Sequence, residues 1–117
     1  MKAQARLRFY RGSPQKVRLV ADLVRGVGVT SALTRLKLTH KRCARDVEKL
    51  VRSAIANLEQ QAPGIDIGRL VVRTITVDPG PSIKRFRAAS MGRVFPRLHR
   101  TCHVTVEVGE RQESGRV

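Results

Sequence analysis

Between Ser82 and His103 the chain carries six strongly basic residues, Lys84, Arg85, Arg87, Arg93, Arg97 and Arg100, and no acidic one. Apolar residues there are too few to build a core. Small residues cluster midway at Ala88, Ala89, Ser90 and Gly92, where a turn fits. Two extended arms around that turn make a ribbon, and about ten residues per arm span roughly 33 Å from base to tip. An isolated two-stranded hairpin of that length is marginal in water. Its support must therefore come from outside the chain, and the core must be built from the remaining residues.

Those residues suffice. The 117-residue chain suits one domain with one modest core. Hydrophobic residues make up 41% but aromatics only 3%, so the core has to be aliphatic. The N-terminal stretch alternates: Ala3, Ala5, Leu7 and Phe9 on one face of a strand, Lys2, Gln4, Arg6, Arg8 and Tyr10 on the other. Gly12-Ser13-Pro14 stops this strand and starts a helix, with Ser13 as cap and Pro14 at the first helical position. Val17, Val20, Ala21 and Val24 follow at helical spacing, and Gly26 fits just past the end. A short helix from about Thr30 to Leu38 comes next. Thr39 is then placed to cap a longer helix ending near Gln61, with Cys43, Val47, Leu50, Val51, Ala54, Ile55 and Leu58 as its buried stripe. Arg42 with Asp46 and Glu48 with Arg52 are spaced as i,i+4 pairs, within a basic stripe of Arg42, Arg45, Lys49 and Arg52. Leu70–Val77 and the alternating Val104, Val106 and Val108 predict strands. Residues 111–117 carry no apolar pattern and are expected to form a mobile tail.

Charge narrows the function. Against 24 Lys and Arg stand 9 Asp and Glu, a formal charge of +15. Such a field repels itself unless a polyanion neutralises it. Charges interrupt every apolar run well short of the roughly 18 residues of a membrane span. The N-terminus lacks the apolar block of a signal peptide. Two cysteines indicate no disulfide framework and suit a reducing cytosol. Any single Lys or Arg is ordinarily a solvated surface charge; along the hairpin that reading fails in aggregate, because the charge is one-sided and unpaired. Arg offers a planar fork to phosphate oxygens. An extended ribbon, with no zipper or zinc finger, suits RNA recognised by shape.

His40, Cys43, His99, Cys102 and His103 raise the question of zinc. On a strand, His99 and His103 share a face while Cys102 points away. Cys43 sits in an apolar stripe, where a thiol is ordinarily buried and inert. No metal site and no cofactor are expected. Catalysis has no foothold either. Asp46 and Glu48 lie about 200° apart on their helix, and Gly26-Val27-Gly28 follows a helix and lacks the rest of a dinucleotide fingerprint.

Several segments resemble the bacterial type of the large-subunit ribosomal protein twenty-two family: SPQKVRLVADLVRG (Ser13 to Gly26), SAIAN (Ser53 to Asn57), VDPGPSIKRF (Val77 to Phe86), Gly92-Arg93 and RTCHVTV (Arg100 to Val106). The resemblance runs in order from about Lys2 to Val108. Together with the elements above it implies an α+β fold: three helices packed on a small antiparallel sheet, with a long protruding β-hairpin at about 79–103. Residues 1–110 would form a single RNA-binding domain. The resemblance further implies a structural, non-enzymatic constituent of the large ribosomal subunit in the cytoplasm, an organellar ribosome being the lesser alternative. Its globular part would lie near the exit of the peptide tunnel. Its hairpin would thread through large-subunit rRNA to line that tunnel near the macrolide site. Implied partners are the rRNA, neighbouring large-subunit proteins and the nascent peptide. The protein would be a monomer within the ribosome, with no membrane insertion.

Carried over by position, Ser13, Lys16 and Arg18 match first-helix RNA contacts, and Lys84, Arg85, Gly92, Arg93, Arg100, Thr101 and His103 match hairpin positions. With the strand cations Arg6, Arg8 and Arg11 and the hairpin residues Arg87 and Arg97, these make the expected rRNA-binding set. Ala88, Ala89, Ser90, Met91 and Gly92 make the expected tunnel-lining tip. The family usually has Pro-Arg, a small residue and a basic one before Gly-Arg, so this tip lacks two positive charges. Cys102 stands for a family Ser, Cys43 for an Ala, and Pro79 for a Glu, which removes a backbone donor at the hairpin base.

Overall fold

The computed structural model describes the backbone of residues 2–88, 90–92 and 94–110, and the side chains of all of these except 87, 90 and 94–97. The element order is β1 (Lys2–Arg11), α1 (Pro14–Val24), α2 (Val29–Leu38), α3 (Ala44–Gln61), β2 (Leu70–Pro79), β3 (Ile83–Ala88), β4 (Val94–His99) and β5 (Thr101–Glu110). β1, β5 and β2 form an antiparallel sheet in that order, and β3 pairs with β4 as the separate hairpin. The fold is thus α+β, as expected. None of the described helices is long and apolar enough to cross a membrane.

One face of the sheet carries the core. Val72, Ile75, Val104, Val106 and Val108 are fully or almost fully buried beneath Val17, Val20 and Val24 of α1, Ala32 and Leu36 of α2, and Val47, Val51 and Leu58 of α3. The layer is aliphatic throughout. Gly26 takes a left-handed conformation (φ 75°) just past α1, and its N–H donates to Val72 O at 2.9 Å. A glycine suits that turn because it has no Cβ to strain. The same bond ties the end of α1 to β2.

Five expectations are corrected. Alternation in β1 holds for Ala3 and Ala5, which are buried, and breaks after Leu7, where a bulge shifts the register between Leu7 and Tyr10. A one-residue slip exchanges the faces of everything beyond it. Phe9, expected inside, is therefore 62% exposed, and Tyr10, expected outside, packs against the core. Thr39 closes α2 instead of opening α3: its hydroxyl donates to Arg35 O at 2.7 Å, and α3 begins five residues later, at Ala44. Asp46 does not pair with Arg42, because its carboxylate accepts the Tyr10 hydroxyl at 2.6 Å; Glu48 and Arg52 do pair, at 3.6 Å. Ser13 stands at the N-cap of α1, yet its side chain makes no capping bond; Pro14 supplies the start.

The hairpin arms are six residues each, not ten. The remainder of each expected arm is a root. There Asp78 and Pro79 still pair with His103 and Cys102 in the main sheet. Gly80 N–H then donates to Thr101 O at 2.9 Å, and the Thr101 hydroxyl to Pro81 O at 2.5 Å. Pro79 lacks a backbone donor, so Gly80 carries the ladder past it. The whole is elongated, 64 × 27 × 24 Å.

Candidate nucleic-acid interface

Residues directly opposite in an antiparallel pair share a face, and faces alternate along each strand. The register of β3 on β4 pairs Ile83 with His99, Lys84 with Leu98, Arg85 with Arg97, Phe86 with Pro96, Arg87 with Phe95, and Ala88 with Val94. Positions 83, 85, 87, 95, 97 and 99 thereby fall on one face of the ribbon, and 84, 86, 88, 94, 96 and 98 on the other. One face is rich in arginine; the other is mostly apolar. Arg85 directly opposes Arg97, a like-charge pairing that weakens an isolated ribbon. Phe86 and Leu98 on the second face are 70% and 51% exposed. At the tip Met91 and Gly92 both have positive φ, 65° and 73°, and Met91 is almost fully exposed. Ala89 and Arg93, as well as the 111–117 tail, lie outside the described residues.

At the root of the hairpin, several expected residues converge. Arg11, Ser13, Lys16 and Arg100 line one cleft of about 780 Å³ together with Tyr10, Arg42, Leu98 and His99. The end of β1, the start of α1, the start of α3 and the end of β4 meet there. The Tyr10–Asp46 bond holds β1 against α3 at this point. Burial, reinforced by the hydrogen bond to Asp46 and that carboxylate's charge, pushes the Tyr10 phenol well above its ordinary pKa. Arg42 was not singled out as a site residue from sequence. It also lines a second basic cleft of about 880 Å³ between α2 and α3, with Lys37, Lys41, Arg45 and Lys49. Its i,i+3 and i,i+7 relation to Arg45 and Lys49 was the available signal.

Arg6, Arg8 and His103 line a third cleft, of about 420 Å³, on the outer face of the main sheet, with Phe9, Asp78 and Thr105. Other expected residues are occupied within the chain. Thr101 is buried, with its hydroxyl committed to Pro81 O. The Arg18 guanidinium donates to Val77 O at 3.1 and 3.3 Å, leaning α1 on β2. His103 Nδ1 accepts the Phe9 N–H at 3.1 Å. Lys84, Arg85 and Arg100 are exposed.

Cys43 and Cys102 are both buried, and burial pushes both thiols up from their ordinary value. Among the described residues no three His, Cys, Asp or Glu side chains are grouped closely enough to hold a metal ion.

Residues 5–109 match the family described as Ribosomal protein L22p/L17e. A protein named Large ribosomal subunit protein uL22 from Anaeromyxobacter sp. (strain Fw109-5) is 50% identical over 108 residues, covering 92% of this chain and 75% of that protein. Its counterpart in Anaeromyxobacter sp. (strain K) is 49% identical over 105 residues, covering 90% of this chain and 72% of that protein.

Proposed function

Because the chain belongs to the Ribosomal protein L22p/L17e family, in its bacterial type, we propose that it is a structural constituent of the large ribosomal subunit that binds large-subunit rRNA. The observation that carries this reading is the opposition of Arg85 and Arg97 on a ribbon with no core beneath it. Two arginine positions paired directly across a ladder put like charges side by side, and the extended hairpin is favoured when anions lie between or beside them. RNA phosphates supply those anions.

Residues 1–110 act as one RNA-binding unit on this reading. The root cleft, with Arg11, Lys16 and Arg100, grips backbone phosphates where the hairpin leaves the body. The hairpin continues between rRNA segments and lines the nascent-peptide tunnel, its tip close to the macrolide site, while the helical body stays near the tunnel exit. Neighbouring large-subunit proteins and the passing nascent chain are its other partners, and the protein is present as one copy in the cytoplasmic ribosome. Its work is positional and electrostatic: it neutralises crowded phosphates and wedges folded RNA, with no catalytic step.

Salt dependence tests this directly. If roughly eight residues contact phosphate, log affinity for large-subunit rRNA falls against log salt with a slope of about −6 to −7. A slope shallower than about −3 refutes the picture.

A further inference from the structure

Phe9 is one of only three Phe residues in the chain, yet it is 62% exposed and stands at φ 55°. A bulky residue in the left-handed region is a genuine outlier. Such strain persists only where surrounding contacts fix it, and it clusters at functional sites. Here the contacts are explicit. The Phe9 N–H donates to His103 Nδ1 at 3.1 Å, and the two rings meet edge to face, 4.9 Å apart at 84°. The β1 bulge thus turns an aromatic residue out of the core and braces it on the outer face of the sheet.

We propose that Phe9, braced by His103, is a stacking platform for one unpaired RNA base, with Arg6 and Arg8 holding the phosphates on either side. The inference rests on the rRNA-binding reading above and adds a specific site to it. Phe9, His103, Arg6 and Arg8 line the same cleft. Asp78 lies in that cleft too, and forms no ion pair within 4 Å among the described residues. Its carboxylate disfavours a phosphate beside it and accepts a hydrogen bond from the amino edge of a base. Two arginines, an exposed ring and one acceptor lining the same cleft fit a splayed-out nucleotide. An uninterrupted backbone would place its phosphates evenly instead.

The test compares Phe9→Gly and Phe9→Trp with the unaltered protein for binding to large-subunit rRNA. Glycine accepts the positive φ without strain, so Phe9→Gly folds and isolates the loss of the ring. It is expected to weaken binding about tenfold at fixed salt and to leave the salt slope unchanged, because stacking releases no counterions. Phe9→Trp is expected to bind within about threefold of the unaltered protein, and its emission, from the only Trp in the chain, is quenched when RNA is added. Equal binding by Phe9→Gly overturns the proposal, as does Trp emission indifferent to RNA. So does a shallower salt slope for Phe9→Gly, which would make the loss electrostatic. Failure of the unaltered protein to bind rRNA takes down the broader reading and this site with it.

Discussion

The hairpin root offers a sharp test of whether its geometry is held as described. An ideal Cβ added at Gly80 meets Thr101 Oγ1 at 2.7 Å and His103 Nε2 at 3.1 Å. The first contact is closer than a methyl group tolerates, so Gly80→Ala must push the Thr101 hydroxyl off Pro81 O or shift the backbone. Losing the bond costs about 1–1.5 kcal/mol, and crowding adds about 1 kcal/mol more, for a total of roughly 2–2.5 kcal/mol. Thr101→Ala alone loses the same bond and a buried methyl, at about 1.5–2 kcal/mol. In the double variant the hydroxyl is already gone and the Cβ has room, so the second change adds little. The double variant is therefore more stable than the sum of the two singles predicts, by about 2 kcal/mol. Urea unfolding measures this: at a slope of about 1.5 kcal/mol/M, each single shifts the midpoint by roughly 1–1.7 M, and the double by little more than Thr101→Ala does. Effects that add to within about 0.5 kcal/mol would show that the two residues do not meet. A Gly80→Ala variant as stable as the parent would sink the description of the root altogether.

Tyr10→Phe removes the donor to Asp46 and is expected to destabilise by about 1.5–2 kcal/mol, read as a lowered melting temperature; an unchanged melt refutes the tether between β1 and α3. Tyr10 is the only tyrosine, and its phenol is pushed up chiefly by burial. Its phenolate absorbance should therefore stay low through pH 10 in the folded state, whereas the unfolded chain ionises there. The corresponding stability is complete below pH 10 and lost as pH rises beyond it; a folded-state midpoint near 10 would contradict this. Cys43 and Cys102, both buried with raised thiol pKa, should react with a thiol reagent at neutral pH only as fast as the protein opens. Labelling of either at the rate of a free thiol would refute that burial. At the tip, ribosomes carrying Ala88→Pro, Ala89→Arg and Met91→Arg should bind a cationic macrolide less tightly than ribosomes with the tip as it stands, since restored positive charge repels the drug; equal affinities dismiss the effect.

Much of this architecture was legible because local signals agreed with each other. Pro14 and Gly26 bracket α1 as the helix-start and helix-end rules require, and the stripe from Val47 to Leu58 marks the buried side of α3 with no competing pattern. What escaped was set mostly by pairing over long sequence distances, and in one case by a choice between two helix ends. Nothing in RLRFYRG announces a bulge, since Phe9 continues the alternation as well as any residue could; the slip is decided by what β5 presents to β1. Thr39 can serve either helix end by its chemistry, and its own bond to Arg35 O settles which. Asp46 is one turn from Arg42, but Tyr10 reaches it from 36 positions away. The like-charge opposition of Arg85 and Arg97 depends on the register alone, and a shift of one residue in the turn would have removed it.

The placement of acidic groups explains why so much positive charge stays available. Asp22 pairs with Arg25, Glu48 with Arg52, Asp66 with Arg69, and Glu107 lies 3.9 Å from Lys2 and 4.0 Å from Arg73. Asp46 is held by Tyr10. Asp22, Glu48 and Asp66 pair with residues three or four positions further on, Glu107 and Asp46 reach across to neighbouring elements, and all of them cancel charge over short range. Beyond Asp78, which pairs with His103 at the last rungs of the main sheet, the chain has no acidic residue until Glu107. Screening in physiological salt reaches only about 8 Å, so body carboxylates cannot neutralise charges far out on the hairpin. A fold that places its acids this way leaves the positive charge of its hairpin uncompensated by its own body, and so open to anions supplied from outside.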